Sequence, residues 1–121
     1  MRLLGYDLLR TEKELVLTLH WQALATMGTD YKVFVHLFDP GTEKIVAQQD
    51  VLAGGDGHPT TRWVPQEVVS SQIPLSLEGA PSGAYHLAVG LYDPAGRLPI
   101  TAPPEFTVSA DRLFLAENLR P

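Results

Sequence analysis

Apolar side chains recur in this chain at every second residue, and that period decides what it can fold into. From Glu14 to Ala23 the odd positions Leu15, Leu17, Leu19, Trp21 and Ala23 are apolar. The even positions Thr18, His20 and Gln22 are polar, with Val16 the one interruption. Such alternation builds a strand with one face in a core and one in water, as in antiparallel sheets. Tyr31 to Asp39 repeats it with Val33, Val35 and Leu37, and Tyr85 to Asp93 with Leu87, Val89 and Leu91. Weaker strand signals run from Ile45 to Val51 and from Val68 to Leu77, where Pro74 predicts an edge or a bulge. Pro99 to Val108 holds three prolines and reads as edge-like or broken. Leu3 to Leu9 and Arg112 to Glu117 would close the sheets at either end, with room for a short helix near the C-terminus.

Turn signals separate these segments. Glycine and proline number ten each in 121 residues, above the roughly 12% of average usage. Tyr31 to Pro40 aligns without gaps to Tyr85 to Pro94 with five identities in ten, and each copy then turns on Pro and Gly. Two copies are too few for a solenoid, so the repeat reads as two similar central hairpins. In Asp93-Pro-Ala-Gly-Arg97, Pro94 suits the first turn position and Gly96 the left-handed one of a three-residue loop. Ala80-Pro-Ser-Gly-Ala-Tyr85 delivers a tyrosine to a strand start, where such a hydroxyl commonly bonds nearby backbone across a sandwich corner. A domain of this mass would bury about two-thirds of its unfolded surface. One all-β domain over residues 1–121 is expected, an antiparallel β-sandwich, immunoglobulin-like or jelly-roll-like, of about seven or eight strands.

Composition mainly excludes. The net charge of −5 offers no basic stripe for phosphates, so nucleic acid is not an expected partner. Without cysteine there is no disulfide, thiolate metal site or thiol nucleophile. No run of 18 apolar residues occurs, so no membrane span is expected in this segment. Met1 to Asp7 lacks the apolar core of a signal peptide.

Catalytic signatures are missing as well. His20, His36, His58 and His86 show no i, i+2 or i, i+4 clamp; only pairing of their strands could bring His20 and His36 together, and ordinary surface or hydrogen-bonded histidines are the expectation. Neither a metal nor a cofactor is expected. No GxSxG elbow occurs, and Ser70-Ser71 lies within a strand pattern. Asp39 and Asp93 stand in Asp-Pro turns, where capping explains them better than acid–base work. Gly54-Gly-Asp-Gly57 lacks the strand and helix that flank a phosphate cradle. The chain is expected not to be an enzyme.

Two places remain for function. The 15 residues 51–65 form a long loop, and long loops in compact domains are usually functional or disordered. Its Trp63 either stacks on a sugar or plugs a sandwich end. Opposite the core valines lie Phe34, His36 and Phe38, matched in the later strand by Ala88, Gly90 and Tyr92. If the two strands are neighbours, this face is either a shallow aromatic platform or covered by another segment. The candidate ligand-binding residues are therefore Asp56, His58, Arg62 and Trp63 in the loop, and Phe34, His36, Phe38 and Tyr92 on the sheet.

Residues 31–41, Ala47-Gln-Gln-Asp50, Pro59-Thr-Thr-Arg-Trp63, Glu67-Val-Val69 and Pro81 through Pro94 together carry a resemblance. Over roughly residues 5–117 the chain resembles the C-terminal β-sandwich segment of bacterial membrane glycosyltransferase-like proteins similar to dolichyl-phosphate-mannose–protein mannosyltransferases. That resemblance implies an extracytoplasmic, non-catalytic accessory domain, with the membrane part of the same chain as a partner. Pro65-Gln66-Glu67 departs from the expected Pro-Gly-Glu, so the turn there is expected to differ. Looser similarity to the polysaccharide-binding sandwiches of O-antigen exporters adds glycan as a ligand. A further similarity, to intracellular proteinase inhibitors, would act through the 51–65 loop, whose double glycine looks too flexible for a preorganised inhibitor. The alternative class is a structural or protein–protein interaction module.

Overall fold

The computed structural model describes residues 1–104, 106–109 and 112–119. Among them nine strands occur: β1 (Arg2–Arg10), β2 (Glu14–Gln22), β3 (Lys32–Phe38), β4 (Ile45–Leu52), β5 (Val68–Ser76), β6 (Tyr85–Asp93), β7 (Gly96–Leu98), β8 (Thr107–Ser109) and β9 (Arg112–Leu119). They build two antiparallel sheets, ordered β1-β2-β5 and β4-β3-β6-β9-β8, with β7 paired to β6. The chain makes a hairpin in the small sheet, crosses to β3–β4, returns to β5 and crosses again to β6. These Greek-key crossings join the two sheets of a β-sandwich. Among the described residues no helix is long and apolar enough to cross a membrane.

Alternation places the core as expected. Leu15, Leu17, Leu19, Trp21 and Ala23 are all buried, while the residues between them are half-buried on the outer face. Ile73 and Leu75 of β5 join them, and from the larger sheet come Val33, Val35, Leu37, Leu87, Val89 and Leu91 in one contiguous cluster. Each such side chain contributes about 1.5–3 kcal/mol by leaving water. Residues on β3 pair with β6 as Val33↔Leu91, Val35↔Val89 and Leu37↔Leu87, so the two repeated segments are the central antiparallel neighbours.

Several local expectations are met. Tyr85 Oη donates to the Pro81 carbonyl at 2.8 Å, closing the corner between β5 and β6. Asp39 Oδ1 accepts from the Gly41 and Thr42 amides, and Asp93 Oδ1 accepts from Ala95 at 2.9 Å, so both cap turns. Pro74 lies on β5, an edge strand. The amides of Leu77 and Ala23 donate to the Lys13 and Glu67 carbonyls, which puts the hydrogen-bonded pairs at odd residues of β5. Pro74 therefore turns its missing N–H away from β2.

Other expectations need correction. The region from Pro99 to Val108 is broken, and short β7 and β8 raise the strand total; Glu105 lies outside the described residues. The 93–97 hairpin pairs Asp93 with Gly96, leaving the two-residue loop Pro94-Ala95, although Gly96 does take positive φ (130°). Arg112 to Glu117 closes the larger sheet as expected, within β9, and there it leaves no room for a helix, because Leu113 and Leu115 alternate into the core while the backbone pairs with β6.

At Pro65-Gln66-Glu67 the turn keeps a left-handed residue, with Gln66 at φ 73°. A side chain pays steric strain there that glycine does not. Gln66→Gly should therefore raise stability by about 0.5–1 kcal/mol, the strain relief less the added unfolded-state entropy. Urea denaturation measures it, and a loss of stability would show that the strain reading is wrong.

Candidate functional site

On β3, Phe34, His36 and Phe38 face away from the core, and register sets Gly90, Ala88 and His86 of β6 beside them. Gly90 and Ala88 lack the bulk to separate the rings, so large side chains crowd over small ones. Phe34 lies 4.6 Å from His36 and 6.3 Å from Tyr92 between ring centroids. Phe38 meets His86 edge-on at 5.7 Å and Phe114 at 6.0 Å.

No further segment is needed to cover the phenylalanines, because arginines do it. The Arg97 guanidinium sits 4.7 Å from the Phe34 ring centre, and Arg112 lies 5.0 Å from Phe38 and 5.1 Å from Phe114. With these cations above them, Phe34 is only 4% exposed and Phe38 2%. Cation–π contact of this kind contributes about 0.5–2 kcal/mol. Arg112 is also tethered to Glu43 at 3.4 Å.

Beside Arg97 the surface dips into an open depression of about 300 Å³, lined by Phe34, His36, Asp50, Tyr92, Asp93 and Arg97. Asp50 reaches it from β4, directly opposite Phe34. Tyr92 Oη donates to Asp50 Oδ2 at 2.5 Å, and that bond, with some burial, pushes the phenol pKa up. Burial pushes the His36 pKa down; Asp50 pulls it partly back, and Arg97 and Arg112 push it further down. The depression therefore offers an aromatic floor, a carboxylate and a guanidinium, with an imidazole held toward its neutral form.

His36 also makes stability pH-dependent. The folded protein holds its proton less tightly than the unfolded chain, whose value is near 6.5. Stability is thus fully present above that pH and falls as the pH drops through it toward the lowered folded value. Between pH 7.5 and 5.5 the melting temperature of the wild type should fall more than that of His36→Gln. Equal slopes would remove His36 as the cause. Glu67, which the Val64 amide and then His58 hold below the usual carboxylate range, acts only at more acidic pH.

The 51–65 loop is built differently. Its first two residues belong to β4, and Thr60–Arg62 form a short 3-10 turn. Trp63 is 1% exposed and donates from Nε1 to the His58 carbonyl at 2.8 Å, so its indole is a core plug with no face for a sugar. His58 stacks on that indole and pairs through Nε2 with Glu67 at 2.7 Å. Buried Thr60 donates to the Thr29 carbonyl at 2.6 Å and accepts from the Tyr31 amide at 2.9 Å. Thr61 is fastened to Asp30 at 2.6 Å. The glycine-rich loop expected to be flexible is pinned along its second half. Arg62 is exposed at the turn, and Asp56 lines a separate groove of about 470 Å³ with Lys32, Asp50, Ser71 and Gln72.

The structure thus brings Phe34, His36 and Tyr92 together, sets Phe38 beside them, and keeps Asp56, His58, Arg62 and Trp63 on the loop. Asp50, Arg97 and Arg112 complete the face and escaped the sequence reading; no local pattern marks them, since cross-strand register places them. His20 and His36 stand on outer faces of opposite sheets, so the strands do not bring them together. Among the described residues, no three His, Asp or Glu side chains gather into a metal site. No family model, characterised protein or solved structure matches this chain.

Proposed function

We propose that this domain binds saccharide in the depression on the outer face of the larger sheet. The observation that carries the reading is the joint presence of Phe34, His36 and Tyr92 with Asp50 and Arg97 around one open hollow. The apolar face of a pyranose packs against aromatic rings, while its hydroxyls need charged partners that fix orientation. Tyr92 and His36 supply half-buried ring surface. Asp50 accepts hydroxyl hydrogens and Arg97 donates to ring or hydroxyl oxygens. The resemblance to the C-terminal segments of membrane glycosyltransferase-like proteins supports an accessory role, outside the cytoplasm and joined to a membrane part.

A shallow site of this type binds weakly, with Kd of about 1 mM, or about −4 kcal/mol. Titrating neutral and acidic oligosaccharides into the labelled protein should shift amide resonances of Phe34, Asp50, Tyr92 and Arg97. Tyr92→Ala and Asp50→Ala should each weaken binding about ten-fold. Unmoved resonances across the panel would end the saccharide reading. Self-association under the same conditions would favour an interaction module instead.

A further inference from the structure

On the opposite sheet, three side chains from three adjacent strands form a hydrogen-bonded relay. His20 Nε2 lies 2.8 Å from Asp7 Oδ2, and His20 Nδ1 lies 2.8 Å from Ser70 Oγ. Their alignment follows from register. His20 and Ser70 are direct cross-strand partners, and Ser70 is an even residue of β5, which puts them in a non-hydrogen-bonded pair where side chains come closest. Asp7 pairs with Thr18, so it reaches His20 from the diagonal position.

The chemistry of the relay is directional. A carboxylate only accepts, so Asp7 selects the tautomer with the proton on Nε2. Nδ1 is then the acceptor, and the Ser70 hydroxyl donates to it. A serine hydroxyl bonded to a base nitrogen whose other nitrogen is held by a carboxylate is the arrangement that activates serine nucleophiles. Here the two imidazole nitrogens have exchanged roles. Ser70 is exposed, His20 is 32% exposed, and Asp7 is 79% exposed, so an acyl donor can reach the hydroxyl from solvent.

We propose that Ser70 is a nucleophile that takes acyl groups from esters, with His20 as its base and Asp7 as a positioning residue. Ser70 Oγ bonds to the ester carbonyl carbon as its proton passes to His20 Nδ1. The ester C–O bond then breaks, and the departing alkoxide takes that proton and leaves as alcohol. Water resolves the acyl-serine by the same route: it adds to the carbonyl carbon and gives a proton to His20. The serine oxygen leaves and takes that proton back, releasing a carboxylic acid. Backbone direction helps, because even residues of β5 turn their N–H groups away from β2. The Ser70 and Gln72 amides therefore point along the open edge, where Lys32, Ser71 and Gln72 line the 470 Å³ groove. Standing two residues apart on one strand, about 7 Å from each other, the two amides cannot share one oxygen, so a developing oxyanion takes its hydrogen bond from one of them. This activity goes beyond the expectation of a non-enzymatic chain and does not depend on saccharide binding at the opposite face.

Incubation with p-nitrophenyl acetate, and separately with a fluorophosphonate, followed by intact-mass and peptide-mass measurement, tests it. One adduct should form on Ser70, and Ser70→Ala should abolish it. His20→Ala should slow Ser70 labelling at least about ten-fold, and added imidazole should restore part of the rate. Asp7→Asn should slow it less, and Asp7→Glu should recover the rate in a way that a merely structural contact would not. Thermal melts of each variant establish that it is folded, and since all three positions lie on the outer face, the variants retain the core. Labelling scattered over lysines and tyrosines, no adduct at all, or equal Ser70 labelling in His20→Ala would overturn the proposal.

Discussion

Trp63→Ala should destabilise the protein by about 3–5 kcal/mol, the usual cost of emptying a buried aromatic site. The indole belongs to the central cluster with Trp21, Val33 and Leu91, so its loss opens a cavity at one end of the sandwich. It also strands the His58 carbonyl, which accepts from Nε1 at 2.8 Å. Trp63→Phe separates these effects: it keeps most of the apolar volume and loses the hydrogen bond, and should cost about 1–3 kcal/mol. Urea unfolding of the three proteins gives both numbers. A loss below about 1 kcal/mol for Trp63→Ala would mean that the indole does not plug the core. Iodide quenching checks the same placement from the other side. Both tryptophans are at most 1% exposed, so native fluorescence should resist iodide until the chain unfolds.

Gly54→Ala should be comparably severe, at about 2–5 kcal/mol, and its neighbour provides the control. Gly54 has φ 82° and Gly55 φ 80°, so alanine carries the same left-handed strain of about 1–2 kcal/mol at either position. Space distinguishes them. A Cβ at Gly54 would stand 2.4 Å from the His58 carbonyl oxygen and 2.9 Å from Trp63 Cζ2, whereas one at Gly55 meets nothing within 4 Å. The obstacle is backbone and a buried ring, neither of which can swing aside, and overpacking of this kind adds about 1–3 kcal/mol. Gly55→Ala should therefore cost only the strain. Equal losses at the two positions would show that the chain at His58 gives way. Because Gly54 and Trp63 touch, the double variant Gly54→Ala/Trp63→Ala should lose less than the sum of the single changes.

These two expectations assign the 51–65 loop a role in stability and shift function to the sheet faces. Three of the loop's four candidate residues have structural reasons or none for ligand contact: Trp63 fills the core, His58 pairs with Glu67, and Arg62 stands exposed on a turn. Asp56 lines a groove. On the outer face of the larger sheet, by contrast, Phe34, His36 and Tyr92 gain Asp50 and Arg97 as neighbours and become a surface that can hold a ligand.

Local sequence determined those features that depend on neighbours along the chain. Alternation over Glu14–Gln22 named the buried residues of β2 because successive side chains of a strand point to opposite faces. The Asp-Pro turns and the Tyr85 corner were equally legible, since their hydrogen bonds close within four residues. Tertiary structure alone decided whatever depends on register between strands distant in sequence. Arg97 over Phe34, Asp50 beside Tyr92, and Ser70 against His20 join residues 42–63 positions apart. A slip of one residue would send each partner to the other face. No local pattern encodes that register; it is set by the fit of two apolar faces into one core.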